Sequence, residues 1–283
     1  VLFANKVTLK NNQTPRGKLY IWLIVNCYFV IRSILWAFGF LWKRSGTKMK
    51  INDVFADYQP VQDTRVAPIV VSNHCSFADM MFYLTKNVSF LSKKTVAHAP
   101  MIGMHSIARQ SIFLNRDDEK DRNKVLELIQ ERTRRVREKG DLSPLLIFPE
   151  GTITNGRVLM GFKKGAFFSG DPIKIYGIKY NTDHQVIASI INIHPILQVI
   201  ITCCQFYNEF ELMEFEDHFD PEWTYKKHGI TKEDPKAWEY VAADVKTLMA
   251  FMTGFNTSED TFRDTLTFEK ESLELKDPLI EIF

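Results

Sequence analysis

The run Leu145-Leu146-Ile147-Phe148, stopped by Pro149, most narrows what this chain can fold into. Apolar residues in succession, without alternation, suit a strand buried on both faces, as a central strand of a parallel sheet is. Proline cannot continue the ladder, so Glu150, Gly151 and Thr152 fall at the strand's carboxyl end. Ligands of open α/β sheets collect at that edge. A second run, Ile69-Val70-Val71, leads into Asn73-His74-Cys75-Ser76-Phe77-Ala78-Asp79.

Further strands are expected at Val88–Ser92, Ser111–Arg116 and Ile173–Tyr180, with Glu209–Leu212 alternating as an edge strand would. Between them lie helical patterns. Asp121–Lys139 places Val125, Leu128, Ile129 and Val136 on one face and ends at Gly140. Short helices are expected at Pro100–Met104 and Gly161–Phe168. Glu233–Met252 holds an amphipathic helix with Trp238, Val241, Val245, Leu248 and Met249 on its apolar side. Strands alternating with helices predict an α/β fold with a mostly parallel central sheet flanked by helices. The 283 residues are enough for one large domain and a modest extra segment. The expected division is a basic, membrane-anchoring helical segment at 1–60, a catalytic domain at 61–215 and an acidic helical extension at 216–283.

Charge is unevenly spread. Residues 1–50 contain no acidic residue, while 209–283 carry an acidic excess, which suggests that the basic end meets an anionic membrane surface. Leu19–Trp42 is interrupted strongly only by Asn26, Arg32 and Ser33, is long enough to cross a bilayer, and has basic flanks and tryptophans at both ends. A charge at mid-span costs about 3 kcal/mol, so a bent or re-entrant helix pair competes with a simple span at Arg32. Residues 186–204 are also apolar, but Asn192, His194 and Pro195 favour a buried or interfacial segment over a second span. The chain begins with Val1 rather than Met, so no targeting segment can be read from it. The four cysteines, Cys27, Cys75, Cys203 and Cys204, have no zinc-site spacing and suggest a reducing compartment. Nucleic-acid binding gains little support, because the basic residues lie beside an apolar span.

Ser76 followed three residues later by Asp79 predicts a capping box that opens a helix. That puts a carboxylate within reach of the His74 imidazole, which it can hold in one tautomer with the other nitrogen free as a general base. Helix capping alone is the competing role for Asp79. Cys75 is an alternative nucleophile, but sequence neighbours on an extended chain point apart, which favours packing. Arg132, Arg134, Arg135, Arg137 and Lys139 crowd one helix end, either as a solvated face or as a site for phosphate or lipid head groups.

NHCSFAD at 73–79, FLNR at 113–116 and FPEGT at 148–152, in this order and spacing, resemble the glycerolipid acyltransferase family, which acylates lysophospholipids. Residues 148–167 and 231–250 are similar to its lysophosphatidylcholine acyltransferase branch. The resemblance covers roughly residues 60–275 and implies that family's fold. It implies His74 as catalytic base, Asp79 as its orienting partner, and Arg116, Glu150, Gly151, Thr152 and Lys163 in binding the acceptor. Acyl-CoA would be the co-substrate, with no metal or other cofactor. The implied partners are a lysophospholipid resembling lysophosphatidylcholine or lysophosphatidic acid, and membrane lipids. Membrane association is implied, at the endoplasmic reticulum or alternatively the mitochondrial inner membrane. At Asp171–Ile175 the sequence keeps Pro172 but has Ile175 where the family has a second proline, which bears on acyl-chain or acceptor preference. The calcium-binding hands of some branch members have no counterpart before Phe283, so calcium regulation is not implied. The rival expectations are a non-catalytic lipid-binding or structural subunit of a larger membrane assembly, and a thioester hydrolase.

Overall fold

A computed structural model describes residues 33, 35–36, 39–42, 47–60, 66–98, 102–114, 119–181, 195–205, 207–261, 264 and 267. Ten strands are present among them: β1 (Phe40–Trp42), β2 (Lys48–Met49), β3 (Ile69–Ser72), β4 (Ser89–Lys93), β5 (Ile112–Leu114), β6 (Leu145–Ile147), β7 (Val158–Leu159), β8 (Ile173–Tyr180), β9 (Asn208–Phe215) and β10 (Asn256–Thr257). The α-helices are α1 (Asp79–Tyr83), α2 (Ile102–Ala108), α3 (Glu119–Lys139), α4 (Pro195–Cys204), α5 (Pro221–His228) and α6 (Ala237–Thr253). The main sheet runs β1-β9-β8-β3-β6-β4-β5, with β2 also on β9, while β7 and β10 pair separately. Every pair in the main sheet is parallel except β8 with β9. The mostly parallel α/β architecture expected from the sequence is therefore present.

The central strands divide two cores by their alternation. Ile69, Val71, Leu145, Ile147, Ile173 and Ile175 face one layer, which also holds Ile129 of α3 and Val241, Val245, Leu248 and Met249 of α6. Val70, Leu146 and Ile178 face the other, with Ala78, Met81, Phe82 and Tyr83 around α1 and Phe40 and Phe210 beyond it. Burying a side chain such as Leu146 completely contributes about 2 kcal/mol. At Gly177 on β8 an added Cβ would lie 2.6 Å from Met252 Sδ, so its missing side chain lets α6 pack onto the sheet.

Several expectations need correction. Glu209–Leu212 belongs to β9, which pairs with β8 on one side and β1 and β2 on the other, so it is not an edge strand. Its outer partners are the end of the apolar run and part of its basic flank. Phe40–Trp42 are a strand, and Gly39 at φ +74° turns the chain into it, so no helix extends to Trp42. Most of Leu19–Trp42 lies outside the described residues. Among the described residues no helix is long and apolar enough to cross a membrane.

Gly161–Phe168 forms only one 3-10 turn, Lys164–Ala166, rather than a helix. The Gly161 amide donates to the Asp260 carbonyl and the Lys163 amide to the Pro149 carbonyl, which ties this segment to neighbouring backbone. On α3, Leu128 is 37% exposed, whereas Arg132 is fully buried and donates to the Gln110 carbonyl. Arg132 follows Val125 and Ile129 by seven and three residues and precedes Val136 by four, at the middle of the inward stripe. Burial pushes its guanidinium down to about 10. Of the apolar stretch 186–204, residues 186–194 lie outside the described residues. The remainder begins with α4, where Gln198 and Thr202 are buried while Leu197 and Ile200 are about half exposed.

Candidate active site

The parallel register pairs Val71 with Ile147, so the segments leaving β3 and β6 emerge side by side at one sheet edge. Asn73 fastens the first. Its amide exchanges two 2.8 Å hydrogen bonds with the backbone of Ile178, donating to the carbonyl and accepting from the N–H. A side chain thus continues the β3–β8 ladder where the strand itself has ended.

One residue on, His74 Nδ1 lies 2.8 Å from Asp79 Oδ2. The same oxygen accepts from the amides of Cys75 at 2.7 Å and Ser76 at 3.0 Å, and Oδ1 accepts from the Tyr180 hydroxyl. A fully buried carboxylate surrounded by donors makes Nδ1 the protonated imidazole nitrogen and leaves Nε2 bare. The expected capping box forms by half. Asp79 takes the Ser76 amide, but the Ser76 hydroxyl accepts from Ala78 N–H at 3.3 Å and the helix begins at Asp79. The His74 ring stacks on Phe148, with centroids 4.0 Å apart and planes 11° from parallel. Its backbone is held as firmly, because the Thr154 amide donates to the His74 carbonyl at 2.7 Å.

Glu150 is fully buried. Oε1 accepts from the His74 amide and Oε2 from the Met160 amide, both at 3.1 Å. Burial pushes this carboxyl up to about 7 despite the two amides that favour its charge. Glu150 was expected to hydrogen-bond an acceptor. Its oxygens are instead turned inward and tie the two segments together. Gly151 follows at φ +71°, and a Cβ there would sit 2.4 Å from Lys163 Nζ. The turn therefore needs glycine for its backbone, and the Lys163 ammonium lies directly over it. Thr152 is half-buried beside them. The structure thus gathers the Glu150–Thr152 turn with Lys163 and ties it to the His74–Asp79 pair through Glu150, while Arg116 lies outside the described residues.

Backbone amides near Gly151 and the helix start are the type of donor that a developing oxyanion needs. Those of Cys75 and Ser76 are taken by Asp79, that of Ala78 by Ser76, and that of Gly151 by the Phe148 carbonyl. Cys75 is fully buried, accepts from Asn73 Nδ2 at 3.1 Å, and has its thiol pushed well above the usual range by burial, with Asp79 and Glu150 adding to it. It is packing. Cys75→Ala should keep turnover within about three-fold of native, whereas a nucleophile would lose several orders of magnitude. Steady-state rates of the folded variant decide this.

Asn73, Phe148, Thr154 and Tyr180 were given no role from sequence. Asn73 and Phe148 stand inside the two motifs, which was a usable signal. Thr154 stands within the similar stretch 148–167, whereas Tyr180 is brought in by tertiary contact alone.

Residues 57–176 match the family model described as Acyltransferase. This stretch is thus similar to the acyltransferase domains that the family model describes. It contains His74, Asp79, Glu150, Gly151, Thr152 and Lys163, whereas Tyr180 comes from just beyond it. Over 236 residues the chain is 25% identical to the lysophospholipid acyltransferase LPEAT1 of Arabidopsis thaliana, covering 78% of this chain and 56% of that one. It is 32% identical to LPEAT2 of the same plant over 62% of this chain and 29% of that one. With human lysophosphatidylcholine acyltransferase 1 it shares 28% over 71% of this chain and 35% of that one. The chain thus spans from under a third to just over half the length of these relatives. A solved structure, the 1-acyl-sn-glycerophosphate acyltransferase PlsC of Thermotoga maritima, aligns over 83% of this chain and 92% of its own at TM-score 0.47 and 17% identity.

Proposed function

We propose that this protein transfers an acyl group from acyl-CoA to the free hydroxyl of a lysophospholipid. The observation that carries the reading is the buried Asp79 carboxylate on His74 Nδ1, which leaves Nε2 as a base at the carboxyl edge of the sheet. A thioester is already activated, so the missing ingredient is a base for the weakly nucleophilic hydroxyl. Nε2 takes the hydroxyl proton as the oxygen attacks the thioester carbonyl. Asp79 stabilises the imidazolium. Collapse of the tetrahedral species expels the CoA thiolate, which recovers the proton from Nε2, so no acyl-enzyme forms and Cys75 stays out of the reaction.

Lys163, over the glycine turn, supplies a cation for the acceptor phosphate, joined by Arg116. Thr152 contacts the acceptor from the same turn. Glu150 contributes by bracing the His74 segment. The family of the domain and the names of its relatives support a lysophospholipid acceptor. Such an acceptor resides in a bilayer, and the apolar residues from Leu19 up to the turn before β1 suit attachment there.

The test is transfer of labelled acyl groups from acyl-CoA to a panel of lysophospholipids by native protein and His74→Ala in matched membranes. Product that depends on His74 supports the proposal and names the head group. Free fatty acid without an acceptor would indicate a hydrolase. No product across all acceptors from folded native protein would overturn the enzymatic reading in favour of a structural subunit.

A further inference from the structure

The carboxylate of Asp79 has two oxygens with different duties. Oδ2 carries His74 Nδ1 and the amides of Cys75 and Ser76. Oδ1 receives the hydroxyl of Tyr180, a residue at the end of β8 and 101 positions further along the chain. Both residues are buried, Asp79 completely and Tyr180 to within 6%. A carboxylate pinned at one oxygen only can rotate about its last torsion, and rotation would take Oδ2 off the imidazole. The Tyr180 hydroxyl, the fourth donor on the carboxylate and the one on its other oxygen, opposes that rotation.

We propose that Tyr180 is a positioning residue for acyl transfer, holding Asp79 Oδ1 so that Oδ2 stays on His74 Nδ1 and Nε2 remains the bare nitrogen. This inference rests on the acyl-transfer reading given above. Tyr180 is suited to the task in three ways. Its ring is wedged beside Phe82 and Phe210, at centroid distances of 6.3 and 6.5 Å, so the hydroxyl has a fixed direction. Burial first, and then the charge of Asp79, push the phenol well above its ordinary range, which keeps it a donor at any working pH. Its strand is tied to the His74 segment by the Asn73–Ile178 hydrogen-bond pair two residues earlier, so the distance between hydroxyl and carboxylate is set by the sheet. The other titratable groups facing this pair are Cys75 beside His74, Tyr83 on α1 and Glu150 after β6, with Lys163 and Lys246 near Glu150.

The experiment is a double-mutant cycle of Tyr180→Phe and Asp79→Asn in the full chain, read by kcat, KM and histidine nitrogen NMR, with thermal melting to confirm folding. Phenylalanine keeps the ring contacts and removes only the hydroxyl. Tyr180→Phe should lower kcat about ten-fold with KM unchanged. In the Asp79→Asn background the same change should cost nothing further, because its effect passes through the carboxylate. The His74 resonances, assigned by their loss in His74→Ala, should show the Nδ1–H tautomer in native protein and a mixture of tautomers in Tyr180→Phe. A kcat within two-fold of native, a loss equally large in both backgrounds, or unchanged tautomer signals would each overturn the proposal. If native protein shows no turnover dependent on His74, the acyl-transfer reading fails instead, and the tautomer comparison still decides whether Tyr180 governs the pair.

Discussion

His74→Ala is expected to lower acyl transfer by about a thousand-fold or more, within the range a positioned general base contributes. The loss should fall on kcat, because the imidazole acts on the proton that leaves in the transition state. Folding should survive. Asp79 would still accept the Cys75 and Ser76 amides and the Tyr180 hydroxyl, and the Glu150 and Thr154 contacts reach the backbone of residue 74 and not its ring. Rates measured beside circular dichroism and thermal melting separate chemistry from folding. A variant that melts like native yet retains a tenth of the activity would remove His74 from the mechanism.

Glu150→Ala should have the second largest effect, through a different route. The substitution leaves the buried amides of His74 and Met160 without their acceptors, at about 1–3 kcal/mol each, and opens a void at the junction of the two segments. With residue 74 no longer braced, acyl transfer should fall about a hundred-fold although the imidazole is intact. The stability change carries its own pH signature. Glu150 has its carboxyl raised from 4.5 to about 7, so between those values the folded state binds more protons than the unfolded one. Its contribution is therefore present in full below about 4.5 and is lost as pH rises through about 7, by on the order of 3 kcal/mol in total. Urea unfolding at pH 5 and pH 8 reads this directly. The gap between native and Glu150→Ala should be wider at pH 5 and narrower at pH 8, and a gap that widens with pH would contradict the buried, proton-binding carboxyl.

The central strands were readable because their burial is written locally. Unbroken apolar runs such as Leu145–Ile147 need cover on both faces, whatever provides it, and a proline or a polar motif marks where each stops. The His74–Asp79 pair was readable for the same reason, since a five-residue separation across a strand end and a helix start brings the groups together by local geometry. The roles of neighbouring residues were not. Glu150 stands in a turn after proline, where a carboxylate normally meets solvent. Only the parallel pairing of β3 with β6 sets it against the His74 amide and buries it. Arg132 read as one of a solvated charge run until α3 packed with that position inward. Phe40–Trp42 read as the end of a membrane helix until β9 offered them a partner strand.

By itself, then, the sequence determined the α/β class, the edge of the sheet at which the two motifs lie, and the imidazole and carboxylate that meet there. These follow from periodicity, proline and short-range spacing, which act within a few residues. The tertiary structure alone decided that Glu150 turns inward onto the His74 and Met160 amides and that the Tyr180 hydroxyl meets the far oxygen of Asp79, while it buries Cys75 as the sequence favoured. Those outcomes depend on which strands lie side by side, and hydrogen bonds between residues 76 or 101 positions apart leave no periodic trace in the chain.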